Sequence, residues 1–273
     1  MPVVDIERVP RGIDASRAHP ARRYDYWLGG KDNFTADRES ARIIADAFPT
    51  IRLSAIENRR FLHRAVRYLA EEAGVRQFLD IGAGLPSAGN VHEIAQEIAP
   101  ESRVVYVDND PIVLVHARAL LNSSREGRTA YLQADLREPE KILELPELYK
   151  TLDMSKPVAL MLLAVFHFLE DDAEAHHILR TLRAALAPGS YIALSHATSD
   201  DLASPVEEHD VVNKQSGIPF RLRTAADLAG FVEGLELVDP GVITLPHWQP
   251  NVPERQRARP GDICMHGVVA RVP

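Results

Sequence analysis

Cysteine is almost missing from this chain. Cys264 is the single one in 273 residues, so an intrachain disulfide is excluded and the fold rests on burial and hydrogen bonding. Long apolar runs are missing too: none approaches the ~20 residues that span a bilayer. Basic charge is not in excess. The net charge of −8 argues against a general nucleic-acid binder, which shows a basic face. Met1 to Gly12 has no apolar stretch of secretory type, so a cytoplasmic protein in a reducing compartment is expected. No internal repeat or long low-complexity segment is present. What remains is ordinary for a globular α/β chain: 45% hydrophobic and 26% charged residues, enough for one large domain with an extension.

The order of elements is legible in part. Residues 1–20 read as extended or poorly ordered. The five arginines between 8 and 23 read as a solvated extension, or as a surface for an acidic partner. Thr35 is expected to cap a helix to about Ala47. Ser54 and Glu57 form a capping box for a helix to about Ala73, with Gly74 as its stop. Strands are then expected near 77–81, 103–108, 129–134, 157–163 and 190–196. Helices are expected near 90–99, with Asn90 and Glu93 placed to cap it, and near 111–121, 172–187 and 202–215; Thr224 and Asp227 can cap one more to about Gly234. Such βαβ alternation implies a parallel sheet with helices on both faces. The apolar runs 235–244 and 263–271 lack a helix between them, which suggests an antiparallel pair at one edge. The chain divides into an N-terminal helical cover, 1–74, and a domain over 75–273.

The segment Phe78-Leu79-Asp80-Ile81-Gly82-Ala83-Gly84-Leu85-Pro86 carries the most information. A buried strand ends in an acid, and glycines follow that let the backbone turn and approach a ligand closely. In an open α/β sheet a ligand sits at the carboxyl ends of the strands. Asp108, with Asn109 beside it, ends the second strand, where a carboxylate can accept both ribose hydroxyls. Asp135 and Leu136 follow the third strand, and Ala164 follows the fourth. Nicotinamide and S-adenosylmethionine proteins both place an acid at the second strand. Ser87 stands where the third glycine of a dinucleotide loop would be, and Pro86 stiffens the turn. Asp80 is placed to receive the ammonium of a methionine moiety, and Asp135 the amino group of an adenine. Together these favour S-adenosylmethionine.

The segments Arg23–Asn33, Leu79–Pro86, Asn90–Glu93, Val105–Pro111, Ala134–Arg137, Leu194–Thr198 and Gly234–Val238 extend over almost the whole chain. In these the chain resembles a class I S-adenosylmethionine-dependent methyltransferase, of a bacterial subfamily known only as a domain of unknown function. The resemblance implies a Rossmann-like seven-stranded, mostly parallel sheet with an antiparallel last strand. It implies the cofactor, but no established methyl acceptor. Ala83 stands where many relatives carry threonine or cysteine.

Methyl transfer from a sulfonium is an in-line displacement in which the protein binds and aligns. No catalytic triad is needed: Ser195 lacks the G-x-S-x-G setting, and Cys264 is expected to pack in a strand. His167 and His196 follow the fourth and fifth strands and are candidate bases for an acceptor proton. No metal is expected, since His92-Glu93 lacks the second histidine of a zinc helix, and His176-His177 read as solvated. Tyr24–Phe34 reads as a lid, with Tyr24 and Tyr26 over the cofactor, Gly30 in a hinge or close contact, and Asn33 beside it. Asn58 or Arg59 joins the same pocket. A covered pocket suits a small-molecule acceptor better than a protein or a duplex. A non-catalytic binder of the cofactor is the main rival reading. A nicotinamide oxidoreductase is weaker, and a nucleic-acid methyltransferase lacks its Asn/Asp-Pro-Pro-Tyr run.

Overall fold

The computed structural model describes residues 13–120, 123–202 and 206–273. Three helices come first: α1 (Pro20–Leu28), α2 (Thr35–Ala47) and α3 (Ile51–Glu71). Strands and helices then alternate through β1 (Gln77–Ile81), α4 (Val91–Ile98), β2 (Arg103–Asp108), α5 (Pro111–Leu120) and β3 (Arg128–Gln133). The short helices α6 (Pro139–Glu144) and α7 (Pro146–Thr151) lead to β4 (Ala159–Leu163), α8 (Asp172–Ala184) and β5 (Tyr191–Ala197). The chain closes with α9 (Val206–Gln215), α10 (Ala225–Phe231), β6 (Glu236–Leu237), β7 (Ile243–Thr244), α11 (Pro260–Ile263) and β8 (Met265–Arg271).

The sheet runs β3-β2-β1-β4-β5-β8-β6, with β7 also on β8. β1 to β5 are parallel, while β8 is antiparallel to β5 and to both short strands. The count is eight rather than the seven that the resemblance implies. The run expected at 235–244 is two short strands, because Pro240 has no N–H for a ladder and Gly241 turns the chain at φ 82°. Strand order reverses between β1 and β4, where a crevice opens above the strand tips.

Alternation along each strand sorts the side chains into two cores. Leu79, Ile81, Val105, Leu160 and Leu194 face α6, α7, α8 and α10. Phe78, Val104, Met161 and Val269 face Phe61, Ala65 and Leu69 of α3. Asp80 shares the parity of Phe78, so its carboxylate lies on the α3 side of the sheet. Among the described residues, no helix is long and apolar enough to cross a membrane.

The helix starts differ from expectation. α3 begins at Ile51, and Ser54 is inside it. Its hydroxyl donates to the carbonyl of Ile263 at 2.7 Å, while Glu57 pairs with Arg60. A tertiary partner has taken the hydroxyl that the capping-box spacing assigned to the local backbone. α2 is capped one residue earlier than expected: Thr35 is its first residue, and Asp37 accepts the Phe34 N–H at 2.8 Å. Asn90 and Glu93 do box the start of α4, and Thr224 and Asp227 that of α10. α1, α6, α7 and α11 were not foreseen; each opens on proline, whose fixed φ suits a first turn.

Candidate active site

The glycine turn after β1 is built by contact as much as by conformation. Gly82 has φ +75°, and a Cβ there would lie 2.5 Å from Val165 Cγ2. Its N–H donates to Val107 at 2.8 Å. Gly84 (φ +68°) donates its N–H to the Asp108 carboxylate at 2.8 Å, and the Asp110 N–H donates to the other oxygen at 2.9 Å. Two oriented donors thus hold Asp108 at the tip of β2. Burial pushes its pKa up against those hydrogen bonds.

Asp80 is held differently. It is 6% exposed, and no hydrogen bond from a described residue reaches its carboxylate. Burial pushes its pKa up to about 7; Asp108 adds to the rise and Arg59 opposes it. Arg59 donates to the carbonyls of Ala88 and Gly89 (3.2 and 2.8 Å), which anchors α3 to the glycine turn.

A cavity of about 320 Å³ lies over these strand tips. Of the residues singled out from the sequence, it brings together Tyr24, Asp80, Gly82, Ala83, Gly84, Asp108, Asn109, Asp135, Leu136 and Ala164, with Asn58 and Arg59 from α3. Pro86 lies in a small adjoining recess with Asp80, Tyr106 and Tyr131. Asp135 sits at the rim, where the Asn109 amide donates to it at 3.1 Å and the Arg137 N–H at 2.9 Å.

Gly30 and Asn33 do not line this cavity. The Asn33 amide donates to the Asp25 carboxylate (2.8 Å) and to the Gly30 carbonyl (3.1 Å), and a Cβ on Gly30 would meet Asp25 Oδ1 at 1.8 Å. Gly29 (φ 83°) ends α1 with two backbone hydrogen bonds from the cap, so the Gly-Gly pair closes a helix rather than forming a hinge. Tyr26 packs in the cluster around Trp27 and Ile44.

The cover comes from further upstream. Ala18, His19 and Pro20 line the cavity, as do Gly217 to Pro219. Residues 13–20, expected to be extended, are tied down. His19 accepts the Ala21 N–H at 3.3 Å as the cap of α1, and its ring lies 3.2 Å from both Asn109 Oδ1 and Asp110 Oδ2. Arg22 and Arg23 are 4% and 2% exposed, not solvated. Arg22 pairs with Asp110 at 3.1 Å and Asp37 at 3.7 Å. Arg8 and Arg11 lie outside the described residues. The His-Pro step was the one local sign of a helix start here.

A buried polar chain joins the cover to the sheet. The Ala164 N–H donates to Ser195 Oγ (2.9 Å), and that hydroxyl donates to Asn58 Oδ1 (2.6 Å). The Asn58 amide donates to the Tyr24 hydroxyl (3.0 Å), which donates to the Ala55 carbonyl (2.9 Å). Ala164 itself has φ +53°, an unusual conformation for a residue with a Cβ.

The two candidate bases separate. His196 is fully buried and lines neither this cavity nor its neighbour. Its Nδ1 lies 2.6 Å from the Ala197 carbonyl, which can only accept, so Nδ1 carries the proton. Nε2 then accepts from Arg223 at 2.9 Å. Both nitrogens are committed, and burial drives the pKa down to about 3, which fits a structural role and not the one expected. His167 lines a second, apolar chamber of about 90 Å³ beside the first.

Cys264 is not in a strand. It ends α11 at φ +46°, and its thiol donates to the carbonyls of Gly261 and Asp201. His177 is exposed and 3.3 Å from Glu140, but His176 packs on the Phe231 ring, 4.7 Å between centroids. Among the described residues, no three His, Cys, Asp or Glu are arranged to hold a metal ion.

Known structures share this overall architecture. The crystal structure of a DUF574 family protein from Streptomyces avermitilis MA-4680 is 47% identical, with a TM-score of 0.91 over 95% of this chain and 99% of that one. A proposed methyltransferase from Thermobifida fusca YX is 40% identical, with a TM-score of 0.89 over 97% and 99% of the two chains. An O-methyltransferase family protein from Burkholderia thailandensis, 16% identical with a TM-score of 0.52 over 86% of this chain and 62% of that one, shares the fold. No curated protein matches. A family described as S-adenosyl methyltransferase matches residues 7–273. A glycine turn under three strand-tip carboxylates, in a chain matched almost end to end, has one reading: this protein belongs to the S-adenosyl methyltransferase family.

Proposed function

We propose that this S-adenosylmethionine-dependent methyltransferase acts on a small-molecule acceptor. The residues at the cavity fit the cofactor. Asp108 has both oxygens oriented by backbone donors and keeps lone pairs for two hydroxyls. Asp80 is a buried acid that lacks a hydrogen-bond partner among the described residues, as an ammonium would require. Asp135, at the rim, is an acceptor suited to an amino group. At Gly82 a Cβ would clash with Val165, so only glycine lets the turn keep its shape beneath the cavity. When bound, S-adenosylmethionine supplies a methyl group activated by its sulfonium. The chain's own part is to bind, to align, and to keep bulk water out.

The observation that carries the small-acceptor reading is the cover. Ala18 to Tyr24 and α3 roof the cavity, and the roof is tied to the strand tips through His19, Arg22 and Asn58. Such a covered pocket suits a small molecule better than a folded protein or a duplex. The test is S-adenosylhomocysteine release, measured in parallel with a panel of small phenols, amines and thiols and with bulk tRNA and denatured protein. Turnover confined to the macromolecules would overturn the proposal.

A further inference from the structure

The second chamber is the feature that the cofactor does not account for. It shares Pro20, Tyr24, Ala164 and Phe168 with the cofactor cavity, so the two adjoin. Its other walls are largely apolar and include Trp27, Ile44, Phe48 and Phe220. At about 90 Å³ it is smaller than the ~150 Å³ cavity that takes up benzene. A ring-sized guest therefore extends into the shared mouth, toward the cofactor.

Two polar groups in its wall lack what burial demands. Arg23 is 2% exposed, and no carboxylate lies within 4 Å of it among the described residues. Its guanidinium reaches the hydroxyls of Ser40 (3.4 Å) and Ser216 (3.2 Å) and lies over the Trp27 ring, while Nε is buried without a partner. Buried cations are normally paired. His167 is 6% exposed, between the rings of Phe168 and Phe220 (centroids 4.3 and 4.5 Å away), and its Nδ1 is buried without a partner. Burial, with His196, Arg23 and Arg223 nearby, holds its pKa well below the usual histidine range, so the ring is neutral and offers a lone pair. A cation with no carboxylate in contact, its opposing charge coming from the more distant Asp37, and a base without a donor line one apolar space.

Resting on the small-acceptor reading above, we infer that this chamber seats the acceptor, and that the acceptor is a small apolar compound with a weakly acidic hydroxyl, a phenol in chemical class, bound between Arg23 and His167. The hydroxyl donates to His167, and Arg23 stabilises the negative charge that gathers on the oxygen. The apolar walls take the ring. A carboxylic acid would satisfy Arg23 but, ionised, would bring no hydrogen to His167. A neutral amine would do the reverse.

The test uses 4-nitrophenol, whose ionisation is visible by absorbance, and nitrobenzene, which lacks the hydroxyl, on the full chain saturated with S-adenosylhomocysteine. Expected is at least ten-fold tighter binding of 4-nitrophenol, and a bound spectrum that turns to the phenolate at lower pH than in water. In Arg23→Gln the spectral shift is lost. In His167→Phe the preference over nitrobenzene is lost. Equal binding of both probes to the wild-type protein, or no binding of either, would overturn the inference even if a variant fails to fold. If calorimetry on the ligand-free protein still detects S-adenosylhomocysteine, the methyltransferase reading stands without it. No heat with S-adenosylhomocysteine would overturn both.

Discussion

At the scale of single residues, the cleft over the strand tips turns on two aspartates with opposite environments. Asp108 is fixed by the N–H groups of Gly84 and Asp110. Hydrogen bonds to a charged group contribute about 1.5–3 kcal/mol each. Asp108→Ala is therefore expected to weaken S-adenosylhomocysteine binding by roughly ten- to a hundred-fold in calorimetry. An unchanged dissociation constant would remove Asp108 from the site. Asp80 has burial without donors, and its pKa stands near 7, above the ordinary 3.8. For an acid raised in this way, the buried charge costs stability increasingly as pH climbs from about 4 to about 7. A cationic group bound beside it offsets that cost. Cofactor affinity is thus expected to rise with pH up to about 7 and to level off above it, and the thermal upshift on binding to be larger at about pH 8 than at about pH 6. Asp80→Asn should flatten the profile. A profile that falls with pH in the wild type would contradict this assignment of Asp80.

Among the elements, α3 connects the roof to the sheet. Asn58 on its cavity side links the Ser195 and Tyr24 hydroxyls, and Ser54 a turn earlier holds the Ile263 carbonyl. Asn58→Ala removes one hydrogen bond from each of two buried hydroxyls, which keep the Ala55 carbonyl and the Ala164 N–H as partners, at about 0.5–1.5 kcal/mol per bond. A drop of roughly 2 kcal/mol in urea unfolding is expected, together with weaker S-adenosylhomocysteine binding. A change in binding with no change in stability would mean that Asn58 touches the ligand and braces nothing. α1 is the element whose role differs most from its local pattern. Its two glycines end it, and its first turn and the residues just before it form the roof. The Gly-Gly step followed by polar residues reads in the sequence as the hinge or close contact of a lid, with a surface turn as the alternative. Asp25 of the last turns of α1 occupies the space around Gly30 and Asn33, so the Gly-Gly pair caps that helix locally.

For the molecule as a whole, β8 decides how the chain closes. It lies between β5 and the short strands, and Trp248 packs beneath the same face. Trp248 is fully buried, with Phe61 and Tyr68 edge-on at 5.3 and 6.0 Å. Arg64 donates to the Trp248 and Leu245 carbonyls. Trp248→Ala is expected to cost about 3–5 kcal/mol, or roughly 6–20 °C of melting temperature for a chain of this size. A shift under about 3 °C would show that the C-terminal segment adds little to the core.

The β1 glycine turn, the acids after β1, β2 and β3, the five parallel strands and the capping boxes of α4 and α10 were all legible in the sequence. Each depends on neighbours within a few residues: an apolar run, a glycine, or a carboxylate three positions from the N–H it accepts. Helical and extended periodicity are local properties, and so is the aspartate that ends a strand. The partners of His19, Arg23, Ser54 and His196 were decided by tertiary structure, because they stand far off in the chain. His19 meets Asn109, Arg23 meets Ser216, Ser54 meets Ile263 and His196 meets Arg223. A polar side chain answers to whichever donor, acceptor or charge lies within about 3 Å after folding. Local pattern cannot name that partner when the contact closes a long loop.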